Sequence, residues 1–233
     1  MEAIILAGGK AERLGEAAGG RPKPLVPVGG RPLVAYTVAA LARASVERVL
    51  VSCSAGSGDL FREALSSFGP AIVPVEEPEP LGRGGGLRLA AAALEGDEAY
   101  ALNGDELLDL DFRELLDRHR ELDVAATIVV TPFRSPFGVV EIDDDDRVER
   151  FDEAPELAHW VSAGAYVLGR EALDRLPEHG DHERTTFPEL ARERKLGAFR
   201  HHGLWLTVNT PKDLRVAEEQ VGAGALTRVT GLG

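Results

Sequence analysis

Residues 2–41 read EAIILAGGKAERLGEAAGGRPKPLVPVGGRPLVAYTVAAL, and the fold turns on how this stretch divides. EAIILA (2–7) is an apolar run of strand length. Behind Pro32, the apolar residues Val34, Val38 and Leu41 recur at helical spacing. Between strand and helix lies LAGGKAERLGEAAGGRPKPL (6–25), with two glycine pairs, two Lys, two Arg and two Pro. A connection this long without periodicity is either functional or disordered.

The same alternation continues outward. ERVLVSC (47–53), AIVPV (71–75) and EAYALNGD (98–105) read as strands. DLFREALSSF (59–68), GLRLAAAALEG (86–96) and DFRELLDRHREL (111–122) read as helices between and after them. This order predicts an α/β fold of three layers, a Rossmann-like, mixed but mainly parallel sheet between helices. Ligands of such sheets bind beyond the carboxyl ends of the strands. After residue 122 the rhythm changes to strands with few helices: DVAATIVVTPF, FGVVEID, RVERFDEA and VSAGAYVLG. Two short helices follow, EALDRLP and FPELARERK, then a last strand and helix in GLWLTVNTPKDLRVAEEQ. No Pro/Gly/Ser linker separates the halves, so one domain is expected over 1–221, with halves 1–122 and 123–221. The acidic run at 143–146 reads as a hairpin turn in water. Residues 222–233, GAGALTRVTGLG, read as a flexible tail.

The chain has 233 residues, 44% of them apolar, which is ordinary globular composition. A net charge of −13 argues against nucleic acid or an anionic membrane as partner. The single cysteine, Cys53, excludes an internal disulfide and reads as a small core residue at a strand end. MEAIILAGG has no basic segment ahead of an apolar one, and no apolar run is long enough to span a bilayer. A cytoplasmic protein is the expectation.

Gly8 and Gly9 let the backbone after the first strand approach a ligand closely and turn N–H groups toward it. The P-loop pattern and the dinucleotide fingerprint are both absent from the sequence. Arg13 and Lys23 flank a stretch containing Gly15, Gly19 and Gly20. Pro22 and Pro24 fix the backbone on both sides of Lys23, which suits a point charge aimed at a phosphate. A surface loop with solvated charges is the other reading.

LAGGKAERLGEAAGGRPKPLVPVGGRPL resembles the signature of the sugar-1-phosphate nucleotidyltransferases, the NDP-sugar pyrophosphorylases: L-A-G-G-x-G-T-R-L, a spacer, P-K-P-L-x-P-V, then G-[RK]-P. The likeness continues in order through EPEPLGRGGGLRLA, YALNGDELLDLD, FGVVEID, VERFDEAP, VSAGAYVLG and LWLTVNTPKDL, nearly the whole chain. It implies a short, single-domain member. An NTP and a sugar 1-phosphate would give an NDP-sugar and pyrophosphate, by in-line attack with no covalent enzyme intermediate. By position, Leu6, Ala7, Gly8, Gly9, Asn103 and Gly104 fall to the nucleotide. Arg13 falls to the triphosphate and leaving pyrophosphate, and Lys23 to the reacting phosphates. The first half then holds nucleotide and the second half sugar, with a monomer or homodimer as the assembly.

Asp105, in NGD, falls to Mg²⁺, which commonly takes one carboxylate plus phosphates and waters. The family's second metal ligand sits in W-x-D-I-G-T. Here Thr207 replaces that Asp, and Asn209, two residues on, takes the role, as the Asn of V-N-N does in the N-acetylglucosamine-1-phosphate uridylyltransferases. Thr210-Pro211-Lys212-Asp213 also reads as a helix N-cap. The base site falls on Glu77–Gly86, where E-P-L-G-T-A-G becomes a glycine-rich run from Gly82 with Arg83 inside it. A carboxylate at Glu79 suits the N1–H and N2–H of guanine, so GTP is favoured over UTP and dTTP. Gly138, Glu153, Ser162 and Gly164 fall to the sugar.

Several positions depart from the pattern. Ala11-Glu12 stand for Gly-Thr, and the charge of Glu12 must be offset by Mg²⁺ or Lys10. The family's sugar-phosphate lysine is Ala154, a loss worth about 1.5–3 kcal/mol of charge-assisted bonding. Arg83 or Arg134 would have to replace it, or the sugar differs from the common ones. Mannose- or heptose-type 1-phosphates fit best; glucose-type or amino-sugar substrates with UTP or dTTP are the alternative. These departures also motivate a non-catalytic nucleotide-sugar-binding regulatory subunit. An NAD(P)-linked dehydrogenase is disfavoured by the missing fingerprint.

Overall fold

A computed structural model describes residues 1–9 and 11–232. Lys10 lies outside the described residues, so its expected offset of the Glu12 charge has no structural counterpart here. Seven strands form the central sheet: β1 (Glu2–Leu6), β2 (Arg48–Ser54), β3 (Ala71–Glu77), β4 (Glu98–Asn103), β5 (Ala126–Arg134), β6 (Glu156–Gly169) and β7 (Leu196–Arg200). Their order is β7-β5-β6-β4-β1-β2-β3. β1 to β4 are mutually parallel, β6 runs antiparallel to both its neighbours, and β7 is parallel to β5. The strands of the second half thus join the first sheet and extend it.

Helices α1 (Leu33–Arg43), α2 (Gly58–Leu65), α3 (Gly82–Ala91) and α4 (Phe112–Leu122) follow the parallel strands. One buried layer joins Ile5, Val49, Val51 and Tyr100 to α1, through Val34, Val38 and Leu41. The opposite layer packs Ile4, Leu50 and Tyr166 against Leu87 and Ala90 of α3. Alternate residues of the parallel strands, such as Ile4 and Ile5, enter opposite layers because strand side chains alternate faces. Cys53 is fully buried in the first layer, and burial pushes its thiol pKa up. Asp143 Oδ1 accepts the Asp145 and Arg147 N–H groups, closing the acidic turn as an Asx-type turn.

Three expectations change. The long loop is not without structure, since Glu12–Ala18 forms 3₁₀ turns broken at Gly15 (φ 54°, ψ −130°). α3 spans Gly82–Ala91, four residues ahead of the helix read over 86–96, so the glycine run forms its first turn. The 222–233 segment is not a free tail over its described part. Thr227–Thr230 forms a short helix, and Leu226, Val229 and Thr230 are buried. Three side chains with little contact to water fasten the segment, and Thr230 Oγ1 also donates to the Leu226 carbonyl at 2.8 Å.

Candidate active site

The carboxyl ends of four adjacent parallel strands open onto one cleft of about 710 Å³. β1 supplies Leu6 and then Gly8 and Gly9, β2 Ser54, β3 Glu77, and β4 Asn103 and Asp105. Strand register sets this alignment, pairing Leu6 with Ser52 and Asn103, and Ser54 with Glu77. A second depression of about 460 Å³ lies under the long loop, against Ala7, Gly8 and Gly9. The Gly8–Gly9 backbone therefore forms the ridge between two hollows. Gly104 fits because its N–H donates to Leu6 O at 2.9 Å, where a Cβ would stand 2.7 Å from that oxygen.

Lys23 reaches the cleft from a 3₁₀ turn, Lys23–Leu25, closed by the Leu25 N–H to Pro22 O bond of 2.9 Å. Its side chain is 9% exposed. Its Nζ donates to Asp105 Oδ2 at 2.5 Å and to Asn209 Oδ1 at 2.7 Å. Arg13 Nη2 donates to the same Asn209 oxygen at 3.1 Å. The four residues singled out for phosphate and metal thus form one cluster.

A short ribbon brings Asn209 to Asp105 across the chain. Glu106–Leu108 pairs antiparallel with Trp205–Thr207, and Val208 N–H donates to Asp105 O at 3.1 Å. Asn209 is then held on three sides. Its N–H donates to Asp213 Oδ2 at 3.0 Å, and its Nδ2 to Thr207 Oγ1 at 3.0 Å. Its Oδ1 is left facing Lys23. Thr210 and Asp213 complete a capping box for the helix Pro211–Gly222, with Pro211 in its first turn. The cap reading and the site reading of this stretch coexist.

Two hard oxygens, Asp105 Oδ2 and Asn209 Oδ1, converge on a single ammonium group. That donor set fits a divalent cation of Mg²⁺ type completed by phosphate oxygens and water. Among the described residues no group of three or more His, Cys, Asp or Glu could hold a metal ion. The fit therefore depends on substrate oxygens.

Glu106 is a site residue that the sequence reading missed. Its buried carboxylate accepts from Asn103 Nδ2 at 3.0 Å and from Trp205 Nε1. Burial pushes its pKa up to about 7, against the lowering effect of those two bonds. Gly164 (φ 68°) presses on both Glu106 and Asn103, where a Cβ would collide with their side chains. Asn103 Oδ1 is buried without a partner. Only its place beside Asp105 after the fourth strand could have signalled Glu106.

The base-side expectations divide. Glu79 and Gly82 line the cleft, and Glu79 is exposed. Glu77, the first residue of the expected base-site stretch, is the anchored carboxylate rather than Glu79. It accepts Ser52 Oγ at 2.7 Å and the Leu81 N–H at 3.1 Å. The other glycines of the run serve packing. A Cβ on Gly84 would meet Pro177 Cγ at 2.6 Å, and one on Gly85 would collide with Glu178 O. Arg83 is not free to replace a missing phosphate cation, because Asp181 and Glu183 both hold its guanidinium.

The sugar-side residues are not gathered in one place. Gly164 borders the cleft floor, and its N–H donates to Ser162 Oγ at 3.4 Å. Gly138 and Glu153 adjoin each other beside the hairpin of Val139–Ile142 and Val148–Asp152, outside the cleft lining. Arg134, at the end of β5, is exposed and 4.0 Å from Glu156.

The sequence profile described as Nucleotidyl transferase matches residues 2–223, and the chain belongs to that family. Its fold is that of the nucleotide-diphospho-sugar transferases. The chain is 33% identical over 228 residues to the mannose-1-phosphate guanylyltransferase of Mycobacterium tuberculosis, covering 91% of this chain. It spans 62% of the length of the curated relatives it matches. Among solved structures, HddC from Yersinia pseudotuberculosis complexed with GMP-PN superposes with a TM-score of 0.72 at 23% identity, covering 94% of this chain and 99% of that one. The inositol-1-phosphate CTP transferase from T. maritima superposes with a TM-score of 0.75 at 21% identity, covering 98% and 95%. Among the described residues, no helix is long and apolar enough to cross a membrane.

Proposed function

We propose that the protein is a cytoplasmic, Mg²⁺-dependent sugar-1-phosphate nucleotidyltransferase, acting on GTP and a mannose- or heptose-type 1-phosphate. The observation that carries the reading is the meeting of Lys23, Asp105, Asn209 and Arg13 at the mouth of four parallel strands. Similarity to mannose-1-phosphate guanylyltransferases supports the choice of substrates.

In this reading a phosphate oxygen of the sugar 1-phosphate attacks the α-phosphorus of GTP in line. The new P–O bond forms as the bond from the α-phosphorus to the bridging oxygen breaks, and pyrophosphate leaves with that electron pair. Gly8 and Gly9 place backbone groups beside the triphosphate, with Leu6, Ala7, Asn103 and Gly104 shaping the nucleotide pocket. Arg13 takes charge on the pyrophosphate side. Lys23, buried and fixed at its base, neutralises the oxygens of the reacting phosphates. Asp105 and Asn209 would hold Mg²⁺, which when bound neutralises the α-phosphate and orients it. Lys23 then exchanges its carboxylate and amide partners for phosphate oxygens. Glu79 accepts from guanine, and Glu77 keeps the turn beneath it in place. Gly164 and Ser162 face the sugar beside the cleft floor, and Gly138 and Glu153 would meet it from the hairpin that stands outside the cleft lining.

The test is a matrix of NTPs against sugar 1-phosphates with Mg²⁺, scored by pyrophosphate release, with Lys23→Ala as control. Turnover is expected to be highest with GTP and a mannose- or heptose-type 1-phosphate. Silence from every pair would remove the reaction, and a preference for UTP or dTTP would remove the base assignment. Binding of a nucleotide sugar without turnover would favour the regulatory-subunit reading.

A further inference from the structure

Arg83 stands in the first turn of α3, on the wall of the cleft. Beyond its pair with Asp181, its Nη2 lies 2.7 Å from Glu183 Oε2. The other oxygen of Glu183 accepts from Tyr166 Oη at 2.8 Å. Tyr166 has one proton and gives it to Glu183, so the 3.4 Å contact with Ser162 is donated by Ser162 Oγ. Ser162 in turn receives the Gly164 N–H. The contacts therefore run unbroken from the start of α3 to the register break of β6 at Ser162–Gly164.

A backbone connection runs beside this chain. Gly180 N–H donates to Leu81 O at 2.8 Å, and Gly84 N–H donates to Gly180 O at 2.8 Å. Gly82 has a φ of 78°, and a Cβ there would stand 2.6 Å from Gly180 O. The glycines of this turn are open because the 177–183 segment lies against them. Tyr166 is fully buried, so its hydroxyl is committed to this network and not to water. A lone rim charge would need none of these parts.

We infer that Arg83 is a positioning residue that couples the two substrate subsites, holding the base-side segment at Leu81–Gly82 in register with the sugar-side strand break at Ser162–Gly164 through Glu183 and Tyr166. The assignment of those segments to base and sugar rests on the reaction proposed above; the mechanical coupling does not. The guanidinium touches no substrate in this role. It sets where the two binding segments stand relative to each other, so its loss is felt by both substrates at once.

The test compares Arg83→Met, Arg83→Lys and Tyr166→Phe in the full chain. Tyr166→Phe removes one hydroxyl on the sugar side and leaves the nucleotide side chemically intact. Both Arg83→Met and Tyr166→Phe are expected to raise KM for the NTP and for the sugar 1-phosphate, each by roughly five- to tenfold. The double variant is expected to be little worse than Arg83→Met, because one pathway is cut twice. Arg83→Lys is expected to recover part of the loss. Hydrogen exchange supplies a readout that needs no turnover: amides of Leu81–Gly86 should exchange faster in Tyr166→Phe. A Tyr166→Phe protein with wild-type exchange at Leu81–Gly86 overturns the coupling. So does an Arg83→Met protein with only one KM changed. A wild-type protein silent toward every substrate pair removes the reaction instead, and the exchange arm still decides the coupling.

Discussion

The Asn209 side-chain amide donates to the Thr207 hydroxyl at 3.0 Å, and this bond decides where the Asn209 carbonyl oxygen points. Thr207 stands where the sequence resemblance implies the family's second metal-binding Asp. In this chain it orients the residue two places on. Asn209→Ala is therefore expected to raise the Mg²⁺ concentration needed for half-maximal pyrophosphate release by at least about tenfold. Thr207→Val keeps the shape and loses the acceptor, and should raise it by roughly threefold, the scale of a lost neutral hydrogen bond. A Mg²⁺ titration unchanged in Asn209→Ala would sink the assignment.

Lys23 gains its leverage from a fixed base and a dry position, with two oxygens already within 2.7 Å. Lys23→Ala is expected to lower kcat by about 10²- to 10³-fold, the scale of removing one preorganised donor that stabilises developing negative charge. Its effect on stability should be small, because Asp105 is one-third exposed and regains water. Steady-state kinetics beside a urea unfolding curve separate the two. A variant that loses activity only in proportion to lost folded protein would contradict the catalytic role.

The parts of this fold that were legible in the sequence share a cause. β1, β2 and β4 are buried on both faces and so appear as unbroken apolar runs. The meeting of Lys23 and Asp105 could be anticipated because proline neighbours and a strand end constrain them locally. The start of α3 was not legible, because Gly82-Arg83-Gly84-Gly85-Gly86 is a poor helix former by local propensity. What makes it helical is a segment near residue 180, and no local window contains both. Glu106 was hidden for the same reason: its partners Trp205 and Gly164 come from distant strands. The buried part of the 222–232 segment was hidden because α1, on which it packs, lies at the other end of the chain.

Gly164 has no room for a side chain and a φ of 68° that L-residues rarely adopt. Gly164→Ala must accept the strained backbone and push against Asn103 and Glu106. A loss of about 2–4 kcal/mol in unfolding free energy is expected, from strain and displaced polar packing together. Activity should fall further than stability, since Asn103 and Glu106 adjoin Asp105. Urea unfolding with turnover measured well below the midpoint checks both. An unchanged midpoint would mean that the strand can relax at Gly164 without cost.

His182 is fully buried between Tyr166 and Phe187, and neither ring nitrogen has a hydrogen-bond partner. Burial pushes its pKa down to about 4, although Glu183 and Asp181 nearby favour the charged form. The unfolded chain binds a proton here near pH 6.5, and the folded chain only near pH 4. Between those values the unfolded state holds more protons, so stability falls as pH falls. The contribution is complete above about pH 6.5 and is lost progressively down to about pH 4, by up to roughly 3 kcal/mol. Arg83 also faces this group and disfavours its protonation. His182→Phe keeps a ring of similar shape against Tyr166 and Phe187 and removes both unpaired nitrogens. It should be more stable than wild type at pH 5, and the gap should narrow toward pH 7. Urea unfolding across this pH range reads the difference directly, and a gap independent of pH would show that His182 carries none of the acid sensitivity.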